Sequence, residues 1–179
     1  MKNVAIFCAS STGNDEIYVR EAKKLGEVLA LKGINLIYGG ASIGLMNVIA
    51  SAALDCGGTV TGIIPRFLDK MEITKLNCTE IIYTDTMSER KTKMFEISDG
   101  IIALPGGFGT LDELFEALTL SQLQFYNAPV GMLNIDGFYD CLLKLLDNMT
   151  EKGFIWEKNR NKLIVSSSIE DLLEKMTKK

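Results

Sequence analysis

The stretch Ile101-Ile102-Ala103-Leu104-Pro105-Gly106-Gly107-Phe108-Gly109-Thr110-Leu111-Asp112-Glu113 decides the fold. Four apolar residues without polar alternation run into a proline, and glycines follow at 106, 107 and 109. Apolar residues then resume at helical spacing from Leu111. A short apolar run closed by turn residues reads as a buried strand, and burial on both faces belongs to parallel sheets. The stretch therefore predicts a strand, a tight glycine turn and a helix opening at Thr110. Backbone N–H groups at a helix N-terminus point outward and carry partial positive charge, which suits a phosphate. Glycine lets an anion approach those groups with no Cβ in the way.

The same punctuation repeats on both sides of this stretch. Apolar, β-branched or aromatic runs at 4–8, 36–38, 60–64, 80–84, 101–104, 130–133 and 163–165 read as strands. Helical patterns occupy 16–31, 45–54, 88–97, 111–123, 139–149 and 169–176, with Gly33 placed to stop the first and Ser168 to cap the last. Strands alternating with helices predict an α/β fold: a doubly wound, Rossmann-like parallel sheet with helices on both faces. Residues 1–179 read as a single domain, without repeat or linker. Residues 65–78 are the least regular segment and are expected to cross over the site. In such sheets ligands bind beyond the carboxyl ends of the strands. That selects the loops at 9–13, 39–44, 65–74 and 105–110.

Composition removes several classes of chemistry. The chain contains no histidine, so a Ser-His-Asp triad, a Cys-His pair and an HExxH zinc site are excluded. Cys8, Cys56, Cys78 and Cys141 form no CxxC pair, and no metal site is expected. Four scattered cysteines and an N-terminus too short in apolar residues for a signal peptide suggest a reducing cytoplasm. A net charge of −4, with no basic cluster beyond residues 90–93, argues against nucleic acid as a partner. No apolar run reaches the roughly 18 residues of a membrane span.

Three further segments join the glycine turn as candidates. Ser10 and Ser11, after the first strand, could donate to phosphate or ribose, or could simply cap a turn. Gly39, Gly40 and Gly44, after the second, match neither GxGxxG nor a phosphate-binding P-loop, and serve packing as readily as a ligand. Arg90-Lys91 open the helix before the glycine strand, where they could face a phosphate or form a solvated face. Glu113 is ambiguous in the same way. Thr110 and Glu113 have the spacing of a capping box, and the pattern alone favours that role over catalysis.

Taken together these residues resemble the Lonely Guy (LOG) family of cytokinin riboside 5'-monophosphate phosphoribohydrolases, whose members often carry a lysine decarboxylase label. The PGGxGTxxE motif is complete from Pro105 to Glu113, and the upstream Arg-Lys pair matches Arg90-Lys91. Cys8-Ala9-Ser10-Ser11, Tyr38-Gly39-Gly40, Gly44-Leu45-Met46, Gly62-Ile63-Ile64-Pro65, Glu72-Ile73-Thr74 and Gly131-Met132-Leu133-Asn134 with Asp136-Gly137 extend the likeness over nearly the whole chain. Ala41 stands where relatives commonly have glycine, and Ser88 where many have histidine.

The resemblance implies a nucleotide site of Glu72, Arg90, Lys91, Gly106, Gly107, Phe108, Gly109, Thr110, Leu111, Asp112, Glu113 and Thr119, with Ser10 and Gly40 beside it. It implies Arg90 and Glu113 as the catalytic pair, an AMP-like 5'-monophosphate as substrate, and a homodimer or larger homo-oligomer. It implies no cofactor. The expected reaction breaks the bond between an adenine, N6-modified or plain, and ribose 5-phosphate. Positive charge develops on the ribose, so an ionised Glu113 could stabilise it or orient water. Arginine stays protonated and is a poor proton donor, so Arg90 is expected to stabilise the leaving base or fix the phosphate. A non-catalytic nucleotide-binding protein is the main alternative. Pyridoxal chemistry would need a lysine in a cofactor site, for which Lys91 and Lys93 lack companions.

Overall fold

The computed structural model describes residues 1–69 and 77–178. Within them seven strands form one sheet: β1 (Asn3–Phe7), β2 (Asn35–Tyr38), β3 (Val60–Pro65), β4 (Glu80–Thr84), β5 (Ile101–Ala103), β6 (Val130–Leu133) and β7 (Leu163–Ser166). Their order is β4-β3-β2-β1-β5-β6-β7, and every pairing is parallel. β1 lies between β2 and β5, with Ala5 in register with both Ile37 and Ile101. The winding thus runs one way through β4 and the other way from β5. Its reversal leaves a crevice between the loops that follow β1 and β5.

Helices cover both faces, as the run of apolar residues in each strand requires. Val4, Ile6 and Cys8 face α1 (Glu16–Leu31), α2 (Gly44–Asp55) and α8 (Ile169–Thr177). Ala5 and Phe7 face α4 (Met87–Ile97), α5 (Phe108–Gln122) and α6 (Asp140–Glu151). The short α3 (Arg66–Asp69) and α7 (Glu157–Arg160), and a 3-10 turn at Ile135–Gly137, carry too little periodicity to be read in advance. Gly33, with φ of 65°, follows α1, and Ser168 caps α8 by accepting from the Asp171 N–H. No helix among the described residues is long and apolar enough to cross a membrane.

The start of α5 differs from expectation. The helix begins at Phe108, with Gly107 as a cap that offers no side chain. Thr110 therefore lies inside the first turn, and the Thr110–Glu113 capping box does not form. The reason is steric. A Cβ at Gly106 would collide with the Thr110 side chain. Glycine there lets the turn fold under the helix, which begins two residues early and carries Glu113 into its second turn.

Candidate active site

The carboxyl ends of β1, β2, β3 and β5 surround a cleft of about 470 Å³. One wall is the loop after β1, with Cys8, Ala9, Ser10 and Ser11. A second is the loop after β2, with Gly39, Ala41 and Ile43. The third is the opening of α5, with Gly107, Phe108, Gly109, Thr110, Asp112 and Glu113. Met46, Ile64, Leu68 and Met87 add an apolar lining that holds no polar signature in the sequence.

The two small-residue loops brace each other. Gly44 has φ of 58° and sits so close to Ser10 and Ser11 that any side chain would strike their backbone. The Leu45 N–H then donates to the carbonyls of Ala9 and Ser11, at 3.1 and 3.2 Å. The second loop therefore serves packing and the cleft at once.

At the base of the cleft, Arg90 from α4 meets Glu113 from α5. Arg90 Nη1 donates to Glu113 Oε1 at 2.7 Å, and Arg90 Nε donates to the Ile63 carbonyl at 3.2 Å. The two residues are only 8% and 7% exposed. A side chain at Gly39 would occupy the space of the Arg90 guanidinium, so this glycine is what admits the arginine. Burial raises the Glu113 carboxyl above the ordinary carboxylate range, and the positive charge of Arg90 opposes that rise. Burial and the nearby Glu113 charge push the Cys8 thiol up, so it remains a protonated wall rather than a nucleophile.

The mouth is made by the α5 N-terminus. The N–H groups of the first helical turn have no partner within the helix, and Gly107 supplies no capping side chain. Space is open where Gly107 and Gly109 would bear a Cβ. Neither glycine has a positive φ, so the fold itself does not demand glycine at either position. Their smallness leaves a clear approach to the helix end. Phe108 between them projects outward and is 94% exposed.

The remaining expected residues fall elsewhere or further out. Lys91 turns to the rim and pairs with Asp112 at 2.8 Å and Glu116 at 2.5 Å. Gly106 lines an adjoining cavity of about 260 Å³ that shares Ala9, Ser11 and Gly107 with the cleft. Gly40 packs against Ile64, and its neighbour Gly39 faces the cleft in its place. Leu111 packs into the core beneath α5. Thr119 lies about three turns down α5, in a separate cavity with Phe115 and Leu118, where its hydroxyl donates to the Phe115 carbonyl. Glu72 and Thr74 lie outside the described residues.

With this geometry in place, comparison with known proteins becomes specific. The profile of the family described as "Possible lysine decarboxylase" matches residues 46–176. The cytokinin riboside 5'-monophosphate phosphoribohydrolase LOG5 of Arabidopsis thaliana is 43% identical over 175 residues, covering 98% of this chain and 77% of that protein. The probable cytokinin riboside 5'-monophosphate phosphoribohydrolase LOGL1 of Oryza sativa subsp. japonica is also 43% identical, over 97% of this chain and 78% of its own. The chain belongs to the Lonely Guy (LOG) family. Among solved structures, the LOG-family chain is similar to the molybdenum cofactor binding protein of Rippkaea orientalis, with a TM-score of 0.71 and 25% identity, covering 98% and 94% of the two chains. It also shares its fold with the molybdenum cofactor carrier protein of Chlamydomonas reinhardtii, with a TM-score of 0.70 at 18% identity over 99% and 98% of the two chains.

The decarboxylase description finds no counterpart among the described residues that line the cleft of this LOG-family member. Among the described residues its lining cation is Arg90, whereas Lys91 and Lys93 are paired with carboxylates of α5 and α4. A Schiff base would require a lysine amine free to enter the cleft.

Proposed function

We propose that this chain hydrolyses the N-glycosidic bond of adenosine 5'-monophosphates, N6-modified or plain, releasing free base and ribose 5-phosphate. The buried Arg90–Glu113 pair, set in a cleft that opens onto an uncapped helix N-terminus, carries this reading. Near-full-length likeness to phosphoribohydrolases supports it. The 5'-phosphate binds the N–H groups of Phe108, Gly109 and Thr110, with Gly106 and Gly107 giving it access and Ser10 facing it across the cleft. Lys91 contributes from the rim, and Glu72 is a further contact that the family resemblance implies. Binding energy from the phosphate places the anomeric carbon over Glu113.

In the reaction the C1'–N bond breaks and its electron pair leaves with the base. Water supplies the hydroxyl to C1' and the proton to the base nitrogen. Glu113 must be ionised to stabilise the cationic ribose or to orient that water. Arg90 holds the carboxylate in place and stabilises negative charge on the departing base. The likeness to a cofactor-binding protein of the same fold favours one competitor, binding without turnover. The deciding assay incubates the purified chain with AMP and its N6-isopentenyl analogue and measures free base and ribose 5-phosphate. Stoichiometric release with turnover is expected, and binding without release would support the competitor.

Residues 1–179 act as one domain in this reading, in a reducing cytoplasm where Cys8, Cys56, Cys78 and Cys141 stay as thiols. The active form is a homodimer or larger homo-oligomer. Its support is the set of exposed large apolar side chains along and after α5, at Phe108, Phe115, Leu123 and Phe125, and after α6 at Phe154 and Trp156. Thr119 lies beside them, which accounts for its distance from the cleft of its own chain.

A further inference from the structure

One aromatic hydroxyl outside the cleft reaches the backbone from which the glycine turn is launched. β5 ends at Ala103, and the Leu104 N–H continues the ladder by donating to the Phe7 carbonyl at 2.9 Å. The Leu104 carbonyl is the last peptide oxygen before Pro105, which has no N–H to offer. It accepts a buried hydrogen bond of 2.6 Å from the Tyr139 hydroxyl. The orientation of that carbonyl fixes the plane of the Leu104–Pro105 peptide, and with it the direction in which Gly106 and Gly107 leave the sheet.

The segment that delivers Tyr139 is built for the purpose rather than for a simple connection. After β6, Asp136 and Gly137 both take left-handed conformations, with φ of 49° and 70°. Asp-Gly is a dipeptide suited to two successive left-handed residues, and it turns the chain sharply here. Asn134 closes the turn. Its side chain accepts from the Tyr139 N–H at 2.8 Å and donates to Asp140 at 2.8 Å, and its own N–H donates to the Ser166 carbonyl. Buried Ile135 pins the turn to the core. Phe138 stacks edge-on against Tyr139 and Tyr18 and lines the small cavity behind Gly106 and Gly107. The Asn134, Asp136-Gly137 pattern thus has a structural purpose that none of the cleft residues explains.

We propose that Tyr139 is a positioning residue for the phosphate anchor: its hydroxyl, aimed by the Asn134–Gly137 turn, sets the Leu104 carbonyl and so the placement of the α5 N-terminus. The proposal rests on the reading that the α5 N-terminus holds the 5'-phosphate. Tyr139→Phe keeps the ring and its stacking and removes only the hydroxyl. Its effect should appear with ligands that carry a phosphate and vanish with those that do not.

The test compares AMP and adenosine binding by calorimetry in the Glu113→Gln chain, which holds AMP without appreciable turnover, alone and combined with Tyr139→Phe or Ile34→Val. Ile34 is a buried residue at the opposite end of the sheet, just before β2, and serves as the control for a general loss of stability. Tyr139→Phe should weaken AMP binding by about tenfold, the order of one lost hydrogen bond, and leave adenosine binding unchanged. Ile34→Val should lower the melting temperature and leave AMP binding as it was. Unchanged AMP affinity in Tyr139→Phe, or an equal loss for AMP and adenosine, overturns the proposal. Because binding is read without turnover, a wild-type chain that binds AMP but releases no base would count against hydrolysis and leave this test intact.

Discussion

Two neighbouring residues of α4 reach across to α5 with the same chemistry and opposite settings. Arg90 holds Glu113 at 2.7 Å, with both side chains 9% exposed. Lys91 holds Asp112 at 2.8 Å and Glu116 at 2.5 Å, with the Lys91, Asp112 and Glu116 side chains 16%, 64% and 33% exposed. In each case a cation on one helix meets acid on the next. The acids set the difference. At the rim, water reaches the carboxylates and screens the charges, and such a pair contributes only about 0–1 kcal/mol. At the base, both charges have been taken out of water, so each depends on the other. The inner pair is therefore a weak way to stabilise a fold and a strong way to hold a reactive carboxylate in a cleft. The outer pair is the reverse: replaceable, and useful for keeping α4 and α5 side by side.

Breaking the inner pair from the cation side should have the largest effect. Arg90→Gln leaves Glu113 buried without its charge partner and is expected to cost about 3–5 kcal/mol of stability at neutral pH. The sign of the pH dependence follows from the same burial. Without Arg90 the Glu113 carboxyl rises further above its unfolded value. The folded variant then holds its proton more tightly than the unfolded chain does. Its stability is retained at acid pH and is lost as the pH rises through the raised value. Denaturant unfolding between about pH 4, near the ordinary glutamate value, and about pH 8, which only buried carboxyls reach, checks this. A variant as stable as the wild type throughout would mean that solvent reaches the pair after all.

Breaking it from the acid side should end the chemistry in a chain that still folds. Glu113→Gln keeps an acceptor for Arg90 Nη1 but leaves that buried cation without its counter-charge, so the melting temperature should fall while AMP binding, anchored at the α5 N-terminus, is retained. Base release should fall by about 10²–10³-fold, the usual loss when a charge aimed at the transition state is removed. The wild-type rate should also fall as the pH drops, because the reaction needs the ionised carboxylate. That acid limb should lie above the ordinary glutamate value of 4.5, since burial raises Glu113. A pH–rate profile of kcat/KM locates it. An acid limb at or below 4.5 would place the essential carboxylate elsewhere.

The contrast between the two pairs also marks what could be read in advance. The fold was legible almost throughout, because unbroken apolar runs at 4–8, 36–38 and 101–104 suit buried parallel strands and little else. The anion-binding turn was legible for a similar reason, since glycine beside a helix start has a local meaning. The Thr110–Glu113 spacing pointed the wrong way. Capping is a local rule, whereas the start of α5 is set by how Thr110 packs over Gly106. The two fates of Arg90 and Lys91 were not legible at all. Adjacent basic residues look alike in a sequence, and only the packing of α4 against α5 sends one to the base of the cleft and the other to the acids at its rim. Gly39 and Tyr139 belong to the same class. Gly39 matters because the guanidinium of Arg90, from 51 residues later, fills its missing Cβ space. Tyr139 matters because its hydroxyl meets a carbonyl from 35 residues earlier.

The smallest expected effect falls on the outer pair, and it is the one that isolates burial as the cause. Lys91→Gln removes a cation one residue from Arg90, on the same helix and facing the same partner helix. If charge pairing between α4 and α5 were what mattered, the two variants should behave alike. If burial decides, Lys91→Gln should cost at most about 1 kcal/mol of stability, and that cost should shrink further in 1 M salt, where screening acts within about 3 Å. The inner pair should respond much less to the same salt, because buried charges are screened less than exposed ones. Unfolding of both variants at low and high ionic strength makes the comparison in one experiment. A loss on the scale of Arg90→Gln, insensitive to salt, would show that Lys91 works from inside the cleft, as a ligand of the phosphate rather than a clasp on the rim.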